Sequence, residues 1–137
     1  VRVSHIPKKG KLKWYNAVGT LRYCPNSGWV VLDTPNSIVR YYANWVRKLT
    51  WKNGSMPMHG AHVTIVNGKV SDVRKSPYWA FRQGAKINFE YSNVIKTNDE
   101  YYWLPIRCER LKEIRQELGL TPFPKWEYHI TCFFISR

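Results

Sequence analysis

Ala61-His62-Val63-Thr64-Ile65-Val66 and Trp126-Glu127-Tyr128-His129-Ile130-Thr131-Cys132-Phe133-Phe134-Ile135 carry the same short phrase: histidine, apolar residue, threonine, apolar residue. Both stretches alternate as β-strands do, with successive side chains on opposite faces. His62 and Thr64 therefore share one face, and Val63 and Ile65 point to the core. His129 and Thr131 repeat this arrangement over buried Ile130 and Cys132. A pair of imidazoles, each beside a hydroxyl, is suited to metal-free acid–base chemistry on a phosphate.

The elements around the two phrases also repeat. Trp29 to Leu32 is an apolar run of strand length. Asp33-Thr34-Pro35 reads as a helix start, a capping side chain followed by proline in the first turn. Ile38, Tyr41, Tyr42, Trp45, Val46 and Leu49 then make the stripe of an amphipathic helix over 35–49. A loop containing Asn53-Gly54 leads to the strand 61–66. In the second half, Tyr101 to Arg107 reads as a strand. A helix over 109–118, with Leu111, Ile114 and Leu118 on one side, ends at Gly119. The strand 126–135 follows. Strand, helix and histidine strand thus occur twice, which predicts two lobes related by a pseudo-twofold axis with both phrases facing one cleft.

The remaining segments fit around these units. Gly19 to Tyr23 reads as a strand closed by Pro25-Asn26-Ser27-Gly28, and Lys86 to Tyr91 as a half-buried strand. Thr97-Asn98-Asp99 reads as a hairpin turn, and 69–84 as irregular. Residues 1–16 are basic and polar and read as a mobile arm.

With 137 residues, 44% of them apolar, the chain is expected to be a single domain with its own core. It contains no membrane-length apolar run, and its opening residues lack a signal-peptide pattern. Opening on Val rather than Met is expected of a trimmed or processed chain. Cys24, Cys108 and Cys132 are scattered and odd in number, without a CxxC pair. They point to a reducing compartment and away from both a disulfide framework and a zinc site. The net charge of +13, with seven Trp and nine Tyr, points to a polyanionic partner such as RNA or an oligonucleotide, whose bases stack on aromatic rings.

The paired phrases resemble the signature of the two-histidine (2H) phosphoesterase superfamily, whose motif is H-apolar-[ST]-apolar, once per lobe. Leu111-Lys112-Glu113-Ile114-Arg115-Gln116-Glu117-Leu118-Gly119-Leu120, followed by prolines and His129, is similar to the second lobe of small phage-encoded members. The resemblance covers roughly residues 17–136. It implies an α+β, bilobal fold, with two antiparallel-rich sheets facing a central cleft and helices packed outside. Lobe one would span about 17–84 and lobe two about 85–137. It implies a metal-independent phosphodiesterase without cofactor, acting on RNA or on linear or cyclic oligonucleotides. One of His62 and His129 would be the general base and the other the general acid, with Thr64 and Thr131 holding the non-bridging oxygens. Phage relatives of this kind that degrade cyclic oligonucleotide signals suggest an anti-defence role.

Arg22, Tyr15 and Trp79 are the further candidates for substrate contact. Arg22 is a cation in a strand-like run, and the two rings lie in irregular segments where they could stack on a base. His5 and His59 read as bystanders. A monomer in the cytoplasm is expected, or in the host cytoplasm if the chain is phage-encoded. Three other readings compete: a non-catalytic single-stranded RNA or oligonucleotide-binding module, a two-histidine RNase on an unrelated fold, and a metal site of His59, His62 and His129. No acidic or Cys residue stands at ligand spacing for the last.

Overall fold

The structure, a computed structural model, describes residues 4–6, 12–58 and 60–135. Eight strands and two helices follow in chain order. They are β1 (Ser4–Ile6), β2 (Trp14–Tyr23), β3 (Val30–Asp33), α1 (Asn36–Thr50), β4 (His62–Val66), β5 (Lys86–Ser92), β6 (Ile95–Thr97), β7 (Tyr101–Arg107), α2 (Glu109–Glu117) and β8 (His129–Phe134). The fold is mixed α+β, as expected. No helix among the described residues is long and apolar enough to cross a membrane.

Every strand pairing is antiparallel. The pairing pattern repeats: β2, β3 and β4 are neighbours in order, with α1 between the last two, and β5, β7 and β8 are neighbours in order, with α2 between the last two. Pairings β2·β5 and β4·β8 join the halves, and six strands close into a barrel. The two separate sheets expected from the resemblance are therefore one sheet, because both joining pairs are hydrogen-bonded.

One buried row fixes the core. Leu21, Leu32, Val63, Ile130 and Leu104 are successive cross-strand partners on β2, β3, β4, β8 and β7, and each is fully buried. Both helices lie on this face. Tyr42 of α1 meets Tyr91 of β5 edge-on at 6.3 Å, and Leu111, Ile114 and Leu118 join the same cluster from α2. Burying these aliphatic side chains contributes about 1.5–3 kcal/mol each and is the main term holding the barrel together.

The histidine strands share a further irregularity. The pairing of β4 with β3 skips Ile65, and that of β8 with β7 skips Cys132, so a bulge falls at the same place in both phrases. An extra residue changes which face the following side chain takes. Ile65 and Val66 are consequently both buried, as are Cys132 and Phe133.

Several sequence expectations shift. The first strand begins at Trp14, and Ser4–Ile6 pairs with Ile95–Thr97, so these parts of the expected arm belong to the sheet; residues 1–3 and 7–11 lie outside the described residues. Asp33 does not cap α1. It ends β3, and the helix follows Pro35 without a side-chain cap. Asn36 instead ties the helix start to the histidine strand, its Oδ1 accepting from the Ala61 amide at 2.9 Å.

Candidate functional site

The register of β4 against β8 builds the site. Val63 pairs with Ile130, so the antiparallel neighbours on either side place His62 opposite Thr131 and Thr64 opposite His129. Four side chains, two imidazoles and two hydroxyls, form a rectangle on the face that neither helix covers. All four are partly accessible, while Val63, Ile65, Ile130 and Cys132 between them are buried.

Both imidazoles are held the same way. His62 Nδ1 donates to the Gly60 carbonyl at 3.0 Å, and His129 Nδ1 donates to the Glu127 carbonyl at 2.6 Å. A carbonyl only accepts, so Nδ1 carries the proton in each ring and Nε2 of the neutral imidazole has a free lone pair. The hydrogen bond runs to the residue two positions earlier in both cases. It is a local consequence of where each strand begins.

Further polar residues come onto this face through cross-strand pairing. Asp33 is the partner of His62, and Thr20 is the partner of Asp33. On the other side Trp103 is the partner of Thr131, and Lys96 is the partner of Trp103. The surroundings of the two histidines differ, since Pro105 is the strand partner of His129 where Asp33 is that of His62.

Glu127 anchors the His129 side. Lys96 Nζ donates to both carboxylate oxygens at 3.0 Å, and Trp103 Nε1 donates to Oε1 at 3.0 Å. Burial opposes the Glu127 charge, but these hydrogen bonds and the charges of Lys96 and His129 outweigh it, holding the carboxyl below its ordinary value. Burial likewise pushes the His129 imidazole below its ordinary value; the Glu127 carbonyl and carboxylate oppose this, and nearby His62 adds to it. The imidazole is neutral near pH 7 as a result.

Two cavities flank the segment that precedes β8. One, of about 700 Å³, reaches His129 and Thr131 and is walled by Tyr101, Trp103, Trp126 and Lys96. The other, of about 300 Å³, reaches Thr64 and His129 and runs along Val66, Asn67 and Val70. Pro124–Glu127 separates them. Arg115 fixes this segment from α2: its guanidinium donates to Ile65 O at 2.8 Å and to Thr121 O at 2.7 Å. Tyr128 adds a hydroxyl bond to Pro122 O at 2.7 Å.

Of the residues predicted from sequence, His62, Thr64, His129 and Thr131 lie together. Arg22 reaches the same face but is engaged in a two-point ion pair with Asp33, at 2.8 and 3.0 Å. Tyr15 and Trp79 do not join them. Alternation along β2 puts Tyr15 on the Leu21 face, against Tyr91 at 5.6 Å. Trp79 packs edge-on against buried Tyr23 at 5.1 Å. His59 lies outside the described residues. Asp33, Lys96, Tyr101 and Trp103 escape sequence reading because strands remote in sequence deliver them, whereas Trp126 lies three residues before His129 in the segment ahead of β8. Alternation on 101–107 does place Tyr101 and Trp103 on one side, and is the one signal that pointed to them.

Fold and site together define a small antiparallel barrel with twice-repeated histidine–threonine pairs on one face. The chain matches no protein-family model, no curated protein and no solved structure.

Proposed function

We propose that the protein is a metal-independent phosphodiesterase of the two-histidine type, acting on RNA or on linear or cyclic oligonucleotides. The observation that carries this is the pair of Nδ1–H···O=C bonds, which leave two Nε2 atoms available beside two hydroxyls. On this reading one Nε2 removes a proton from water or a ribose 2′-OH. The other, protonated, delivers its proton to the leaving oxygen. Thr64 and Thr131 donate to the non-bridging oxygens as charge builds there.

The base is His129 on this account, since a lowered imidazole value keeps it neutral at working pH. His62 is then the acid, and microscopic reversibility exchanges these roles in the reverse direction. The excess of cationic side chains supports a polyanionic substrate. The repeated pairing pattern supports the bilobal 2H fold as the finer description of the barrel, with the pseudo-twofold axis passing between β4 and β8. The proposal extends to a monomer working in the cytoplasm, and to removal of cyclic oligonucleotide signals as a phage anti-defence enzyme.

The test is hydrolysis, in chelator, of 2′,3′-cyclic nucleotides, 2′–5′ and 3′–5′ oligoadenylates, cyclic di- and trinucleotides and single-stranded RNA. Cleavage of at least one class is expected. Tight binding without cleavage of any class would replace the proposal with a non-catalytic oligonucleotide-binding module.

A further inference from the structure

Trp103 and Val31 hold equivalent places in the two halves of the sheet. Trp103 is the strand partner of Thr131, and Val31 is the strand partner of Thr64. The histidines, hydroxyls and bulges nearest these positions repeat, so this difference distinguishes the two ends of the site. Val31 is buried and offers no ring. Trp103 stands in the wall of the larger cavity, its indole fixed by the bond from Nε1 to Glu127 and lying 6.1 Å from the His129 ring.

Two more rings in that wall remain in water: Trp126 is 66% exposed and Tyr101 45% exposed. Large rings left uncovered around a concave site are unusual unless something covers them. Lys125 brings positive charge to the same cavity, where Lys96 is already paired with Glu127. Flat π-surfaces with a cation alongside suit a flat, π-faced ligand that carries an anion. The smaller cavity, beside Thr64, is lined by Val66, Asn67 and Val70, and Trp126 is the one indole it shares with the larger.

We propose that the larger cavity binds one nucleobase, that of the nucleoside attached to the phosphate lying between the histidine–threonine pairs. The base stacks on Trp126 and Trp103, and the absence of a counterpart at Val31 makes the substrate enter in a single orientation. The position of the phosphate rests on the phosphodiesterase reading, but the ligand of the cavity is testable without turnover.

The probe is adenosine 3′-monophosphate, with inorganic phosphate as its base-free comparison, followed by calorimetry and tryptophan fluorescence. One nucleotide per chain is expected, bound about tenfold or more tighter than phosphate and quenching fluorescence. Trp126→Ala removes an exposed ring and spares the core; Trp103→Leu removes the fixed one. Each is expected to weaken nucleotide binding about tenfold, and Trp126→Ala, which breaks no bond to Glu127, to leave phosphate binding unchanged. Equal affinity for nucleotide and phosphate, two nucleotides per chain, or unaltered nucleotide affinity in both variants would overturn the proposal. Nucleotide binding as described, with no substrate cleaved by wild type, would overturn the phosphodiesterase reading and leave the base subsite standing.

Discussion

Val63 faces Ile130 across the seam between β4 and β8, and that single register decides what each histidine meets. Because the pairing is antiparallel and centred on these two residues, each imidazole lies beside the hydroxyl of the other strand. A slip of one residue would turn one of the two histidines toward the helices. Leu21, Leu32 and Leu104, buried in line with the pair, make that slip costly.

The glycine at 19 protects this row. A Cβ there would stand 2.6 Å from Leu32 Cγ and 2.9 Å from Asp33 O. Gly19→Ala is therefore expected to destabilise the fold by about 1–3 kcal/mol through overpacking. Urea denaturation checks this, and a midpoint equal to that of wild type would show that β2 and β3 separate freely.

Arg115 is the strut between α2, β4 and the segment that carries Glu127. Arg115→Met leaves the carbonyls of Ile65 and Thr121 without their donor, and the buried Ile65 carbonyl alone costs about 1–3 kcal/mol. The expected result is a lowered denaturation midpoint. Arg115→Lys, with one ammonium in place of the guanidinium fork, should recover only part of the loss.

pH dependence follows from His129. Its value in the folded chain is below the ordinary 6.5, so between the two values the unfolded chain binds more protons. Stability therefore falls as pH falls through that window. Glu127 acts in the same direction lower down: its carboxyl is held below the ordinary 4.5, and its contribution is lost as pH falls through the folded value. Thermal melts across this range should show both declines, and His129→Gln should remove the upper one. The acid limb of kcat/KM in the wild type should lie below pH 6.5 if His129 is the base. A limb above that value would reassign the base.

Salt should weaken substrate capture more than chemistry. Each phosphate neutralised on a single strand contributes a slope of about −0.7 in log affinity against log salt. KM for a single-stranded oligonucleotide should rise steeply between about 50 and 200 mM salt, while kcat changes little. A flat KM would mean that the cationic residues lie away from the substrate's path.

The alternation of 62–66 and 129–134 was enough to put His62, Thr64, His129 and Thr131 on one accessible face, because side-chain direction on a strand is a local property. Strand 101–107 and the stop at Gly119, whose φ is +81°, were legible for similarly local reasons. What was not legible depended on register between distant strands. Trp103 and Lys96 reach Thr131 through two successive pairings, and closure of the barrel needs β2 to find β5. Asp33 looked like a cap because it precedes Thr34-Pro35, yet the sheet claims it first. Arg22 was read as a cation in a strand-like run, but its Asp33 partner comes from a neighbouring strand that the sequence does not pair with it. Tyr15 was misplaced because β2 begins earlier than its apolar run suggests.

The most direct test compares His62→Ala, His129→Ala and the double variant on whichever substrate the wild type cleaves. If the two imidazoles work as acid and base in one step, each single variant loses about 10²–10⁴ in kcat, and the double variant loses little more than the worse single one. Thermal stability should stay close to wild type, as both rings are partly accessible. Unchanged rates in either single variant, or losses that multiply in the double variant, would contradict a concerted two-histidine site.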